Sequence, residues 1–465
     1  MKFKRLKCAL LCCTMAASML GLVGCSNSNS GDTPASSGET SSAAESGAGS
    51  SSGETDRSQL PEMHMTFVLC VPSNDSRYLI TDTICKGYQE LNPNFTYEIQ
   101  GFDNQPDEIQ HIQILASSDE LPCWWEGDKT PFHQTLAEAG KLVNVGDFMT
   151  ETGLKDRYLS PLWKSVNEFD NGELYFFCTQ MGYEYWYYHP SHFEAAGIKE
   201  VPTTYDEFFE DCAKLKEAGY APISFGSLNS TWYVHRYVGM VPFDLAGNDF
   251  VMNLRTGAQK MNSPVGIESA EWLQKMADNF CEGWAGMDYQ QSIDLFLGGG
   301  ASMWYSHAAC YTQYSDPETG ELNDDIAVFR NPVYSDRDVV APNDFYAGAG
   351  TGNVWNASDF NETFQDFVKY YFDAFPDLAS KQGIVPLMTR ADGTIPEMPS
   401  FFKQMTEDLA NLKEFCRCWD VTLDPATVEV VGNDGVSLMM GDITPEEFCN
   451  RIDDSVAQNA PDYFD

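Results

Sequence analysis

Basic residues are what this chain has least of for its size. Lys and Arg number 28 against 69 Asp and Glu over 465 residues, a formal net charge of −41. Lys2, Lys4, Arg5 and Lys7 fall in the first seven positions, ahead of an apolar run, so the remainder sets 24 basic residues against the same 69 acidic ones, about −45. A field of that sign repels nucleic acid and anionic membrane surfaces and disfavours a general phosphate scavenger. It leaves a neutral or cationic solute open. The chain also lacks a G-x-S-x-G elbow, a P-loop and an H-E-x-x-H motif. His189-Pro190-Ser191-His192 and Cys416-Arg417-Cys418 have no second pair at zinc spacing. The acidic stretch Asp316 to Asp325 misses the EF-hand positions and reads as a solvated turn. Gly348-Ala349-Gly350-Thr351-Gly352 has no helix with a downstream acidic partner, so a dinucleotide loop is rejected. No solenoid repeat is present. The expectation is a protein that is not an enzyme, with no cofactor and no metal.

The apolar run Cys8 to Val23 is short for a membrane span and is followed by no basic stop-transfer cluster. With the basic residues before it, it reads as a secretory signal. It ends Leu22-Val23-Gly24-Cys25, which matches the lipobox of bacterial lipoproteins. The expectation is a signal peptide over 1–24 and acylation of Cys25, anchoring the protein on the outer face of a bacterial cell membrane. Residues 25–60 then form a tether. Seventeen of the 33 residues from Ser26 to Ser58 are Ser or Gly, too polar to order themselves and spanning roughly 30 Å as a coil. Of fourteen cysteines, ten follow the tether, and Cys70, Cys212 and Cys449 sit at core positions of predicted elements, where thiols act as small hydrophobes. Free thiols are the expectation for most of them.

Globular sequence begins near Met63. Met65 to Val71 is a continuous apolar run, as in a buried strand. Ile80, Ile84, Tyr88 and Leu91 recur at helical spacing up to Pro93. Phe95 to Ile99 alternates like a strand, and Ile109, Ile112 and Leu115 return to helical spacing. This order predicts an α/β sheet with crossovers. Between Tyr175 and Tyr188, eight of fourteen residues are aromatic, which suits either a core hairpin or strands lining a cleft. Pro190 introduces a helix that stops at Gly197. Thr204 with Glu207, and Thr444 with Glu447 behind Pro445, form capping boxes.

Several of these phrases, in chain order, resemble those of the family 1 extracellular solute-binding proteins, the sugar-binding components of ABC importers similar to maltose-binding protein. Gly87-Tyr88-Gln89-Glu90-Leu91-Asn92-Pro93, Ala116 to Pro122 and Leu136 to Val143 are similar to motifs of that family. So are Asn171 to Tyr175, Trp186-Tyr187-Tyr188 with Phe193 to Ile198, and Val201 to Phe208. Ile293 to Met303, Gly383-Ile384-Val385-Pro386 and Gly441 to Glu447 complete the series. The resemblance implies an α/β, periplasmic-binding-protein-like architecture: two α/β lobes joined by hinge crossover strands, with a ligand cleft between them. It implies a solute-binding domain over 61–465, lobe one at about 61–185 and 326–375, lobe two at about 186–325 and 376–465, with the first crossing at the aromatic stretch. It also implies a monomer that delivers a carbohydrate to ABC permease subunits. One departure touches the ligand: the family's Gly-x-Trp after strand Ser302-Met303 is missing, and Ser306, His307 and Tyr311 stand nearest the mouth instead.

A solute cleft needs aromatic faces together with carboxylates or amides. Asn74 and Asp75 follow the first strand, and Trp125, Glu126 and Asp128 form a second segment. Tyr183 and Glu184 lie in the aromatic stretch, Trp232 and His235 belong to a segment that begins at Asn229, and His307 and Tyr346 complete the set of ligand-binding candidates. For each tryptophan core packing competes with recognition, and for each carboxylate a solvated surface does. Two other readings stand beside the sugar binder: a secreted cell-surface glycoside hydrolase, and a same-fold binder of a peptide or polyamine.

Overall fold

The computed structural model describes residues 56–465 apart from 103–104, 128, 160–167, 170–171, 180–181, 229, 308–310, 317–318, 349–351, 383 and 465. Residues 1–55, which include the stretches read as a signal peptide and tether and Cys25, lie outside the described residues, as does Asp128. Strand β1 (Met63–Leu69) leaves His64 exposed near its start and is covered on both faces from Phe67 to Leu69. Met63, Met65 and Phe67 enter the main core, whereas Val68 joins a smaller cluster with Ile112, Leu121 and Trp125. This is why the run is continuously apolar and not alternating. Helix α1 (Ser76–Leu91) buries Ile80, Ile84 and Tyr88. Leu91, expected on the same face, is the last residue of the helix and is half exposed, while Asn92 after it is buried. Strand β2 (Phe95–Gly101) pairs parallel with β1, Met63 opposite Phe95. Helix α2 (Gln105–Ser118) leads to β3 (Trp124–Gly127), parallel to β1 on its other side.

The aromatic stretch is the first crossing. Strand β4 (Phe176–Phe177) belongs to the first sheet, β5 (Gly182–Tyr183) lies between the two, and β6 (Tyr185–Tyr188) is a strand of the second sheet. Helix α3 (Pro190–Ala195) follows, and Gly197 at φ 75° closes it in the left-handed region a side chain would resist. Helix α4 (Tyr205–Glu217) starts on the Thr204–Glu207 capping box and buries Tyr205, Phe208, Cys212 and Leu215. The second lobe continues with β7 (Ala221–Ser224), helices α5 (Thr231–Ala246), α6 (Pro264–Ala277) and α7 (Tyr289–Leu297), and strands β8 (Ala301–Ser306) and β9 (Ala327–Phe329). Its sheet runs β7-β8-β6-β9.

The return differs from expectation. Residues Ala327–Phe329 pair with Tyr188–Trp186 inside the second sheet, so the chain does not leave that lobe at 326. It crosses at β10 (Ala347–Gly348), antiparallel to β5, and enters β11 (Gly352–Trp355) between β3 and β4. The first sheet is thus β2-β1-β3-β11-β4. Helix α8 (Glu362–Lys381) packs on α1 and drives Phe364, Phe367 and Phe372 into the core. The chain crosses a third time, and helices α9 (Ser400–Asn411), α10 (Pro425–Met439) and α11 (Pro445–Asn459) complete the second lobe against α5 and α6. On α9 the buried Asp408 accepts hydrogen bonds from Tyr185 Oη at 2.6 Å and Arg330 Nε at 2.9 Å, fixing the helix to the crossing. Two α/β lobes joined by paired crossover strands follow from this topology. Among the described residues no helix is long and apolar enough to cross a membrane.

Candidate functional site

Open α/β sheets present their loops at the carboxyl ends of the strands. In the first lobe those ends carry a buried ion pair. Glu126, at the end of β3 and 4% exposed, accepts from the Cys70 N–H at 2.9 Å and from Arg77 Nη1 at 3.0 Å. Asp75 caps α1 by accepting the Arg77 N–H at 2.8 Å, and its carboxylate lies 3.6 Å from Arg77 Nε. Asn74 is exposed on the loop before it. Burial pushes the Glu126 carboxyl upward, against the pull of the Arg77 guanidinium.

A parallel arrangement stands in the second lobe. Arg236 donates from Nε to Glu184 at 3.0 Å and from Nη1 to Asp420 at 3.0 Å. Its guanidinium carbon lies 5.6 Å from the Trp232 ring and 5.4 Å from the Tyr346 ring. Tyr305 Oη donates to the other Glu184 oxygen at 2.5 Å. Glu184 follows β5 directly, and its N–H donates to the Tyr346 carbonyl at 2.9 Å, so the network is tied to both crossing segments. Burial raises the Glu184 carboxyl and Arg236 opposes that rise.

Trp232 is half buried and packs against Tyr289 at 5.0 Å and His307 at 6.0 Å between centroids. Tyr289 and His307 are 6.5 Å apart with their planes 25° from parallel, and the Tyr289 and Ser306 hydroxyls are hydrogen-bonded. His307 directly follows β8 and is held neutral to about 4, by burial first and then by the charges of Arg236 and Arg77. The guanidiniums of both ion pairs thus act on this imidazole. The result is an aromatic shelf, Trp232, Tyr289 and His307, flanked by two arginine–carboxylate groups.

Other candidates are packing. Trp125 is fully buried in the smaller core cluster, its Nε1 donating to His133 Nε2 at 3.3 Å, because alternate residues of a doubly covered strand all face core. His235, one residue before Arg236, lies about 100° further round α5. Its Nε2 donates to the Val428 carbonyl at 3.0 Å and the ring is wholly buried. Tyr183 is also fully buried, and its hydroxyl donates to the Asn343 carbonyl at 2.8 Å, joining the two crossing segments. Tyr346 is buried beneath Arg236. Cys70, expected in the core, is only partly buried at the end of β1, whereas Cys212 and Cys449 are fully buried. Arg77, Arg236, Tyr289, Tyr305 and Asp420 were not singled out from sequence. The i, i+4 spacing of Trp232 and Arg236 was the available signal.

A cavity of about 730 Å³ lies elsewhere on the second lobe, between α4 and α6, lined among others by Tyr205, Phe209 and Trp272. Three of its charged lining residues have local partners: Glu268 with Arg337 and with Tyr334 Oη at 2.8 Å, and Lys275 over the Phe209 ring at 3.9 Å. It shares no lining residue with the aromatic shelf.

Residues 77–374 match the family described as bacterial extracellular solute-binding protein, and the chain belongs to that family. Among solved structures it is similar to a chitin oligosaccharide binding protein, with a TM-score of 0.70 at 19% identity, covering 86% of this chain and 99% of that one. It is similar also to a protein from work on xylan utilisation by the thermophilic bacterium Caldanaerobius polysaccharolyticus (TM-score 0.69, 19% identity, 84% and 99% covered). A third is the GacH receptor of Streptomyces glaucescens, studied with acarbose (TM-score 0.65, 14% identity, 86% and 100% covered). No curated protein sequence matches the chain.

Proposed function

We propose that this protein captures a mono- or oligosaccharide in the interlobe cleft and hands it to the permease of an ABC importer, without chemistry on the ligand. The observation that carries the reading is the half-buried shelf of Trp232, Tyr289 and His307 at the strand ends. Aromatic faces stack on the C–H surface of a sugar ring, and the neutral imidazole offers one donor and one acceptor to hydroxyls. Asn74 and Asp75 on the facing lobe offer further polar groups, and Glu126 and Glu184 act indirectly by holding the guanidiniums. The sugars named with the similar structures support the ligand class. Membership of an extracellular solute-binding family supports export, and Cys25 then supplies the lipid anchor on the outer face of the membrane, with residues 26–58 as its tether.

Both buried glutamates are clamped by arginine, which suits scaffolding better than the paired acid and base of a glycosidase. The test is a thermal-shift screen of saccharides, peptides and polyamines, followed by calorimetry and product analysis. Saturating ligand at 100 times its Kd raises stability by about 2.7 kcal/mol. Stabilisation by saccharides without cleavage is the expected result. Stabilisation only by peptides or polyamines, or release of shortened sugar, would overturn it.

A further inference from the structure

The apolar surface at this end of the second lobe does not stop at the three rings of the shelf. Three parallel segments end there side by side: Phe280 bridges to Ile223 of β7, and β7 pairs with β8. The Cys281 N–H donates to the Ile223 carbonyl at 2.8 Å and continues that pairing. His307 follows β8, the loop of residues 225–230 follows β7, and Trp284 follows the outermost segment. Neighbouring strands lie about 4.8 Å apart, so the three ends together span about 10 Å. That is more than one sugar ring covers.

The loops beyond these ends are laced to one another. The Ser227 N–H donates to the Trp284 carbonyl at 3.4 Å, and the Leu228 N–H to the Met287 carbonyl at 2.9 Å. Ser230 Oγ accepts the Tyr289 N–H and donates to the Leu228 carbonyl, both at 3.3 Å. The lacing sets Trp284, then Met287 and Leu228, then Tyr289 and Trp232 in one row that ends at His307. Every member keeps some surface: Leu228 is 46% exposed, and the other five are partly buried. A single exposed leucine is ordinary on a protein surface. This one is fixed at both its N–H and its carbonyl, in a loop that runs between two partly buried tryptophans. The indole N–H groups of Trp272, Trp304 and Trp355 are enclosed in core. Those of Trp232 and Trp284 are not, and no described residue accepts from them, so each has a donor to spare beside its apolar face.

Resting on the carbohydrate reading, we propose that this row is one extended surface for an oligosaccharide. Trp232, Tyr289 and His307 hold one unit, and Leu228, Met287 and Trp284 form an outer subsite for the units that follow it. The ligand class narrows accordingly, from saccharides in general to chains of two or more units. Apolar side chains suit the C–H faces of successive rings, and the backbone lacing holds the row in line before any ligand arrives.

The experiment is calorimetry on the whole exported protein with malto-, xylo- and chito-oligosaccharides of one to four units. The expected result is that at least one series binds and that its affinity rises about tenfold or more from the monosaccharide to the trisaccharide. Leu228→Ser and Trp284→Ala should each remove part of that rise, and the double variant most of it, so that the loss against wild type grows with ligand length. Leu228 is exposed, so its serine variant keeps the fold. Trp284 packs on Phe225 and Phe280, each at 5.6 Å between centroids, so its variant is first checked by circular dichroism and thermal unfolding. A monosaccharide that binds as tightly as its trisaccharide would overturn the inference and leave the carbohydrate reading standing. So would a folded Leu228→Ser protein whose affinities are unchanged, or lowered equally, at every length. Silence towards all three series, with stabilisation by another solute class, would remove the carbohydrate reading and this inference with it.

Discussion

At the scale of single residues, Trp232 and His235 make opposite uses of one helix, three positions apart. Trp232 is half buried on the shelf and His235 is wholly enclosed, so substitution should separate recognition from stability. Trp232→Ala is expected to weaken saccharide binding by about 1–3 kcal/mol, roughly 5- to 150-fold in Kd, with the apo fold retained. Calorimetry checks it, and an unchanged Kd would assign the ring to packing. His235 makes the other prediction. Burial holds its imidazole neutral down to about 4, while the unfolded chain takes up a proton near 6.5. The unfolded state thus binds more protons between those values, and stability falls as pH drops through that window. For this residue alone the loss from pH 7 to pH 5 is about 2 kcal/mol. Urea unfolding at the two pH values should show it, and His235→Gln should flatten the slope; an equal slope in wild type and variant would rule His235 out as its source.

Elements show how much was readable in advance. The first crossing was implied by the family resemblance of the aromatic stretch, whose residues alone suited a core hairpin equally, whereas both capping boxes fell where Thr204 and Thr444 put them, because a cap depends on near neighbours in sequence. Trp124 and Trp125 were not separable from cleft residues, since a strand covered on both faces loses the alternation that would sort them. The arginine groups were hidden for another reason. Arg236 meets Glu184 and Asp420 across separations of 52 and 184 residues, which no local pattern records. The late return at β10 was missed likewise, because β9 is only three residues long and joins the second sheet by pairing with β6. Helix α5 carries a further prediction. A Cβ at Gly239 would lie 2.2 Å from Tyr346 Oη and 3.0 Å from Trp419 Nε1, both rings being buried. Helix propensity alone favours Gly→Ala by about 1 kcal/mol, but displacing a locked ring costs about 1–3 kcal/mol. Gly239→Ala is therefore expected to lower stability in urea and, by moving Tyr346 from beneath Arg236, to weaken ligand binding. A variant as stable as the parent would contradict that packing.

For the whole molecule, three passages of chain between the lobes make a hinge, and a solute touching both sides should draw them together. Small-angle scattering should report a smaller radius of gyration at saturating ligand, and identical profiles with and without ligand would count against closure. Mass spectrometry of the membrane fraction should find an acylated N-terminus at Cys25; an unmodified mature chain starting elsewhere would sink the anchoring proposal. The crossings also bear on the order of events during synthesis. Strand β11 sits between β3 and β4, so β4 has no partner in the first sheet until residue 355 has been made. The second lobe waits longer still, for α10 and α11 to cover α5 and α6. Neither half can finish early, and contacts of such long sequence separation form slowly. A nascent chain stopped before β11 should stay open to protease throughout, so that both lobes become resistant late and nearly together.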